Sequence, residues 1–267
     1  MMTEQFIQER KYLKAVSDKT LAWYKDSFRA FEGALDSTET INARIVELRK
    51  RGVKPVSVNT WLRCIKAYYL WQGKAWKVSR LKEEQKLLTV LPPDGVRAFI
   101  GYKPKGFNQT RAHIVALTIL DTGLRASEAL GLKRGDVDLE NFVLKIAGKG
   151  GKHRLVPFSA ELRKPLYRYM SNNPRPLVFG TITRTQVSVS NLERDFNLIG
   201  NKIGHKVAPH NLRHCFAVNY LRMGGNLEFL RRILGHSSLT TTQKYLRALG
   251  VEDLQKVHDG LSLLKNR

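Results

Sequence analysis

Apolar residues recur at helical spacing through most of this chain and alternate at strand spacing in only one short stretch. Leu21, Tyr24, Phe28 and Phe31 form one stripe. Ile41, Ile45 and Leu48 form a second, with caps offered by Asp36-Ser-Thr-Glu and a stop at Gly52. Pro55 and Ser57 restart the chain, and Val58, Leu62, Ile65, Tyr69 and Trp71 form a third. Each stripe needs a partner to bury against, so the chain up to about residue 82 is expected to be a small helical domain of four or five helices. Pro92-Pro93 then blocks helix continuation and stiffens the backbone. The expected layout is a helical domain over 1–82, a linker over 83–92 and a second domain over 93–267.

The second region opens with a helix expected to be capped at Asp94. Further helices are expected over 110–122, 126–132, 160–170, 188–203, 211–223, 227–234 and 241–249. The β excursion is Phe142-Val-Leu-Lys-Ile-Ala and Arg154-Leu-Val-Pro-Phe, joined as a hairpin by Gly148-Lys-Gly-Gly-Lys-His. The fold class is therefore mainly α with a small β-sheet.

Charge narrows the partner. The 267 residues hold 46 Lys and Arg against 23 Asp and Glu, a formal net charge of +23. Residues 1–90 carry 18 basic and 10 acidic side chains, and the rest carry 28 and 13, so both regions are positive. Self-repulsion on this scale is relieved by a polyanion, and nucleic acid is the leading candidate. No apolar run approaches the roughly 18 residues of a membrane helix. The start, MMTEQFIQER, lacks a signal pattern, and Cys64 and Cys215 have no disulfide or metal spacing. A reducing, cytoplasmic setting without membrane contact is expected.

Several nucleotide and metal chemistries fail on single residues. The loop 148–153 lacks a phosphate-loop ending because His153 follows Lys152; what remains is a hairpin tip carrying Lys149 and Lys152. His210 and His214 are four apart, but a zinc-protease motif needs Glu where Asn211 stands, and no third ligand is spaced for zinc. No metal site is expected, and no acidic cluster offers two-metal chemistry. Arg213 between these histidines suits another use, since guanidinium groups bind phosphate oxygens in bidentate fashion. Gly235 ends a helix, His236 follows in a loop, and Thr240 with Gln243 forms a capping-box pattern ahead of Tyr245. In the first region Asn59, Thr60, Arg63 and Lys66 share a helix face that either contacts phosphates and base edges or is simply solvated.

These residues together resemble the tyrosine recombinases, the phage integrase family. Asp121-Thr-Gly-Leu-Arg-Ala-Ser-Glu-Ala-Leu-Gly-Leu resembles the first arginine box, with Arg125 as the catalytic arginine. Ala147-Gly-Lys-Gly-Gly-Lys-His-Arg-Leu-Val-Pro resembles the catalytic-lysine segment, with Lys149 the better match and Lys152 the alternative. His210-Asn-Leu-Arg-His resembles the H-x-x-R box, giving His210 and Arg213. Leu234-Gly-His-Ser-Ser followed by Thr-Thr-Thr-Gln-Lys-Tyr resembles the last box, giving His236 and the nucleophile Tyr245.

The resemblance implies an N-terminal helical core-DNA-binding domain and a C-terminal mixed α/β catalytic domain. It implies transesterification by Tyr245, with Arg125 and Arg213 on the phosphate and Lys149 as general acid. His210 would help move the tyrosine proton and His236 would donate to the phosphate, with no cofactor. Glu128 either orients Arg125 or is a solvated carboxylate, and His214 and Cys215 are expected to pack beneath the site. The implied partner is duplex DNA with inverted-repeat core sites, bound by a homotetramer on two duplexes assembled from a solution monomer. Val251, Leu254, Val257, Leu261 and Leu264 form an apolar stripe that would dock on a neighbouring subunit or pack in cis. The expected job is integrase or transposase of a mobile element. The alternatives are a Xer-type dimer resolvase, a type IB topoisomerase-like enzyme or a non-catalytic DNA-binding protein.

Overall fold

The computed structural model describes residues 2–84, 88–148, 153–183 and 185–261, with residues 260 and 261 as backbone only. The chain divides into two compact units, Met1–Lys86 and Leu87–Arg267.

The first unit holds α1 (Met2–Tyr12), α2 (Asp18–Ala30), α3 (Thr38–Lys50) and α4 (Pro55–Trp71). Local chemistry sets the helix starts. Ser17 Oγ caps α2 by accepting from the Thr20 amide, and Ser37 and Thr40 cap α3 reciprocally. Pro55 occupies the first turn of α4, where its missing N–H costs nothing. The spacing argument places no helix before Lys19. The structure puts α1 there, because Phe6 is the hub of the core. Its ring centroid lies 5.3 Å from Tyr24, 5.9 Å from Phe28 and 5.6 Å from both Tyr68 and Trp71, mostly edge to face. A helix anchored by one aromatic residue shows little periodicity, which is why the stripe search passes over it.

The second unit runs α5 (Pro93–Ile100), α6 (Gly106–Thr122), α7 (Ala126–Leu130), β1 (Val137–Asp138), β2 (Val143–Ala147), β3 (His153–Pro157), α8 (Ala160–Asn172), α9 (Val189–Ile203), α10 (Pro209–Arg222), α11 (Leu227–Leu234), α12 (Leu239–Gln243) and α13 (Val251–Leu261). The sheet is antiparallel in the order β1-β2-β3, with Leu144 opposite both Val137 and Val156. Leu144, Ile146 and Val156 point into the core. Helix α6 is buried over most of its length, through Ala112, Val115, Ala116 and Ile119, and packs against α8, α9 and α10. It is the post on which the unit is built.

Three local expectations need correction. Asp94 does not cap α5; Pro92 precedes the helix, and Asp94 lies in the first turn with its carboxylate 3.4 Å from His205 Nε2. Residues 88–91, expected within a linker, pack as part of the second unit: Leu91 is core, and its amide donates to Cys215 Sγ at 3.1 Å. Helix α12 starts at Leu239 under a Ser238 cap and ends at Gln243, before Tyr245. The strand β1 went unforeseen because two residues are too few to show alternation.

Candidate active site

Four segments distant in sequence meet at one place in the second unit: the start of α7, strand β3, the first turns of α10, and the stretch from the end of α11 to residue 245. The meeting depends on two glycines. Gly123 ends α6 at φ +66°, and a Cβ there would lie 2.4 Å from the Phe216 ring and 2.8 Å from Leu234. Gly235 ends α11 at φ +64°, and a Cβ there would lie 2.8 Å from the Arg154 guanidinium carbon. Both positions need the left-handed backbone and both admit a close neighbour. Gly123→Ala is expected to cost at least about 2 kcal/mol, combining backbone strain with overpacking, measured as a fall in the urea midpoint.

The carbonyls that these two helix ends leave without an intrahelical partner organise the arginines. Arg213 is 4% exposed; its guanidinium donates to Gly123 O, to Leu234 O at 2.8 Å and to His236 Nε2 at 3.0 Å. Burial, followed by the neighbouring Arg125 charge, pulls its pKa down to about 10, so it remains a cation at neutral pH. Arg125 precedes α7, and its side chain keeps 41% exposure. It donates to Glu128 at 2.9 Å and, at longer range, to Leu234 O and Gly235 O. It is the more open of the two arginines.

Glu128 is a half-buried hub, which decides between its two readings. Its carboxylate accepts the Arg125 amide at 2.8 Å, the Arg125 side chain, and both Arg154 Nη groups at 3.0 and 2.8 Å. Burial raises its pKa, but these donors outweigh burial and hold it below the usual value. Arg154 also donates to Ile233 O at 2.9 Å. One side chain thus ties strand β3 to the arginine box and to the end of α11. The sequence reading did not single out Arg154; the signal was a basic residue directly after the hairpin tip.

Tyr245 sits between α12 and a 3₁₀ turn, Leu246–Ala248, and is 1% exposed. Its ring lies parallel to His236 at 6.4 Å, edge-on to His214 at 5.5 Å, and under the Lys244 ammonium at 5.0 Å. Burial raises the phenol pKa, although Arg213 and Arg125 pull it downward. His236 is also held on its other side: Nδ1 lies 2.9 Å from Thr242 Oγ1. Because Arg213 can only donate, His236 Nε2 must accept, and the ring proton sits on Nδ1. Burial, then the surrounding cations, depresses His236 to about 4, so it is neutral. In this state it has no free N–H for a phosphate.

The other expected residues divide. His210 is exposed, and its ring faces His214 with centroids 6.3 Å apart. His214 was expected to pack beneath the site; instead its Nδ1 lies 3.3 Å from the Tyr245 hydroxyl. Cys215 does pack, against the 88–91 segment. Lys149 and Lys152 lie outside the described residues, as does Leu264. In the first unit Arg63 and Lys66 are exposed beside a groove of about 300 Å³ that also includes Arg80. Thr60 Oγ1 donates to Val56 O. Asn59 is corrected: at 3% exposure its amide donates to Leu81 O and Glu83 and accepts from the Leu81 amide. It staples the segment after α4 onto that helix, because residue 59 shares the inward side with Val58 and Leu62.

Among the described residues, no three His, Cys, Asp or Glu side chains are grouped to hold a metal ion, and no helix is long and apolar enough to cross a membrane.

Residues 89–250 match the phage integrase family. The chain is 30% identical over 265 residues to tyrosine recombinase XerA of Pyrococcus furiosus, covering 95% of this chain and 92% of that protein. It is 31% identical over 267 residues to tyrosine recombinase XerC of Chromobacterium violaceum, covering 91% and 89%. Its fold is similar to that of the Tn1549 transposon integrase in complex with transposon right end DNA, with TM-score 0.80, 19% identity, and 97% and 98% of the two chains covered. A buried tyrosine enclosed by arginines and histidines from boxes in the family order, together with a family match over most of the second unit, leads to one conclusion: the chain belongs to the phage integrase family of tyrosine recombinases, enzymes that break and rejoin DNA strands.

Proposed function

We propose that this protein is a site-specific recombinase that binds duplex DNA at inverted-repeat core sites and cuts each strand through Tyr245. The observation that carries the reading is the placement of Tyr245 against His214 and His236, with Arg213 and Arg125 beside them. The phenolic oxygen attacks the scissile phosphorus, forms a 3′-phosphotyrosyl bond and releases a 5′-hydroxyl. The bond energy stays in the link, so resealing needs no nucleotide cofactor. Arg125, the more exposed arginine, meets the phosphate first. Arg213 then turns from its carbonyl and His236 partners to a phosphate oxygen, and His236 donates to the phosphate once its ring proton has moved from Nδ1 to Nε2. Lys149 at the hairpin tip, with Lys152 as the alternative, protonates the departing 5′-oxygen. His210 assists the transfer of the tyrosine proton.

The first unit is the core-DNA-binding domain. Arg63, Lys66 and Thr60 carry its DNA-facing side, with Lys152 contributing from the hairpin and Asn59 left to its structural task. Exchange takes four subunits on two duplexes, assembled from monomers in the cytoplasm. The docking element is α13. Val251 and Leu254 are 79% and 55% exposed, while Asp253 pairs with Arg222 at 3.1 Å and holds the helix at its start.

Of the two jobs, dimer resolution has the nearer support, because the Xer relatives match at 30–31% identity along nearly the whole chain. The mobile-element reading draws on fold likeness to the Tn1549 integrase. A circular plasmid with two directly repeated core sites separates the readings. A resolvase yields two circles, a mobile-element integrase joins unlike targets, and a topoisomerase-like enzyme only relaxes the plasmid. A chain lacking residues 251–267 is expected to bind one site normally and to lose most resolution; full resolution by that variant would refute docking in trans. The reaction is expected to proceed in chelator. Cutting that disappears in chelator and returns with magnesium would defeat the proposed chemistry.

A further inference from the structure

We propose that His214 is a further catalytic residue: its Nδ1 holds the Tyr245 hydroxyl and takes the phenolic proton as the oxygen attacks phosphorus. The inference deepens the reading above and rests on Tyr245 being the nucleophile.

Three geometric facts lead to it. Nδ1 of His214 lies 3.3 Å from the Tyr245 hydroxyl oxygen, with the two rings edge to face at 5.5 Å. His236, on the flat side of the phenol, has Nε2 bound to Arg213 and Nδ1 to Thr242. His210 faces solvent one helical turn before His214, and among the described residues it makes no hydrogen bond to the phenol. His214 is therefore the imidazole that reaches the reacting oxygen. Catalytic hydrogen bonds are often long before substrate arrives and shorten in the complex, so 3.3 Å is a reasonable starting separation.

The charges around His214 keep it ready. His210 and Arg213 flank it on α10, Lys244 and Tyr245 approach from the segment after α12, and His236 lies beyond the phenol. Burial first, then Lys244, His210 and Arg213, depresses its pKa to about 4. At neutral pH the ring is uncharged; with its proton on Nε2, the Nδ1 lone pair receives the hydroxyl hydrogen. So weak a base does not ionise the phenol in advance. A phosphate bound at Arg125 and Arg213 places negative charge within this cationic group and raises the imidazole basicity as attack begins. The bond formed is Tyr245 oxygen to phosphorus, and the bond broken is phosphorus to the 5′-oxygen. The leaving oxygen keeps the electron pair and is protonated by the general acid, while the phenolic proton moves to His214. Resealing reverses each transfer.

The test is single-turnover cleavage of a nicked suicide substrate at saturating DNA, from pH 5.5 to 9.5. The proteins are wild type, His214→Phe, His214→Gln and Tyr245→Phe. His214→Phe keeps a ring but has no acceptor; His214→Gln keeps an acceptor that cannot hold the proton. Both are expected to bind the core site within about twofold of wild type. His214→Phe should cleave about 10²-fold more slowly at pH 7, the usual scale of general-base loss, and the deficit should shrink as pH rises toward the phenol pKa. His214→Gln should show the same trend, and it carries the test if the Phe variant does not fold. Cleavage within threefold of wild type in the folded variants would overturn the proposal. So would a deficit constant with pH that Gln restores, since that pattern means orientation alone. Absence of any Tyr245 adduct in wild type would instead overturn the parent reading, so the two failures are distinguishable.

Discussion

Tyr245→Phe is expected to abolish the covalent protein–DNA adduct while leaving core-site binding within about twofold. The substitution removes one hydroxyl from a ring that is 1% exposed, so packing against His214 and His236 is retained. The hydroxyl lies within hydrogen-bond reach of His214 Nδ1 and also interacts with the Arg213 guanidinium, and losing one such bond costs about 1 kcal/mol of stability. The chemical loss is total, because no other side chain can form the tyrosyl link. Adduct formation on a suicide substrate, read as a shifted band on a denaturing gel, is the measurement. An undiminished adduct in Tyr245→Phe would remove Tyr245 as nucleophile and, with it, the roles built around it.

Arg213→Ala is expected to be the second largest change, with both a rate and a stability component. A charged donor to a transition-state oxygen contributes about 10²–10³ in rate. Arg213 also satisfies Gly123 O, whose loss of a donor costs about 1–3 kcal/mol, and it makes the shorter of two bonds to Leu234 O, which keeps its longer bond from Arg125. Some of this is returned, because removing one of three clustered guanidiniums relieves repulsion with Arg125 and Arg154. Arg213→Lys keeps a charge but loses the planar fork that spans two carbonyls and His236, so it should recover stability better than rate. Urea unfolding and single-turnover cleavage on the same preparations separate the two components. Equal recovery of both by Lys would mean that Arg213 acts only as a point charge.

The glycines in the two boxes show why the motif is legible at all. Gly123 and Gly235 are fixed by backbone conformation and by the atoms a Cβ would strike. The carbonyls next to them are the ones Arg213 and Arg125 grip. A site made from helix ends therefore leaves a fixed residue pattern around each end, and that pattern can be read in one dimension. Asn59 shows the opposite case. On a helix, one residue's step moves a side chain from the solvent side to the core, and the neighbours that decide between them, Leu81 and Glu83, come from a segment with no periodicity.

By itself the sequence determined the class of fold and the positive charge of both regions, since these rest on spacing and composition, and it carried four segments that resemble the family boxes. Only the tertiary structure decided which histidine meets Tyr245, that Glu128 is a half-buried hub shared by Arg125 and Arg154, and that His236 is held between Arg213 and Thr242. Those are contacts between residues that lie as far as 31 positions apart, as with His214 and Tyr245. Their energies depend on burial and mutual charge, which come into being when the segments converge.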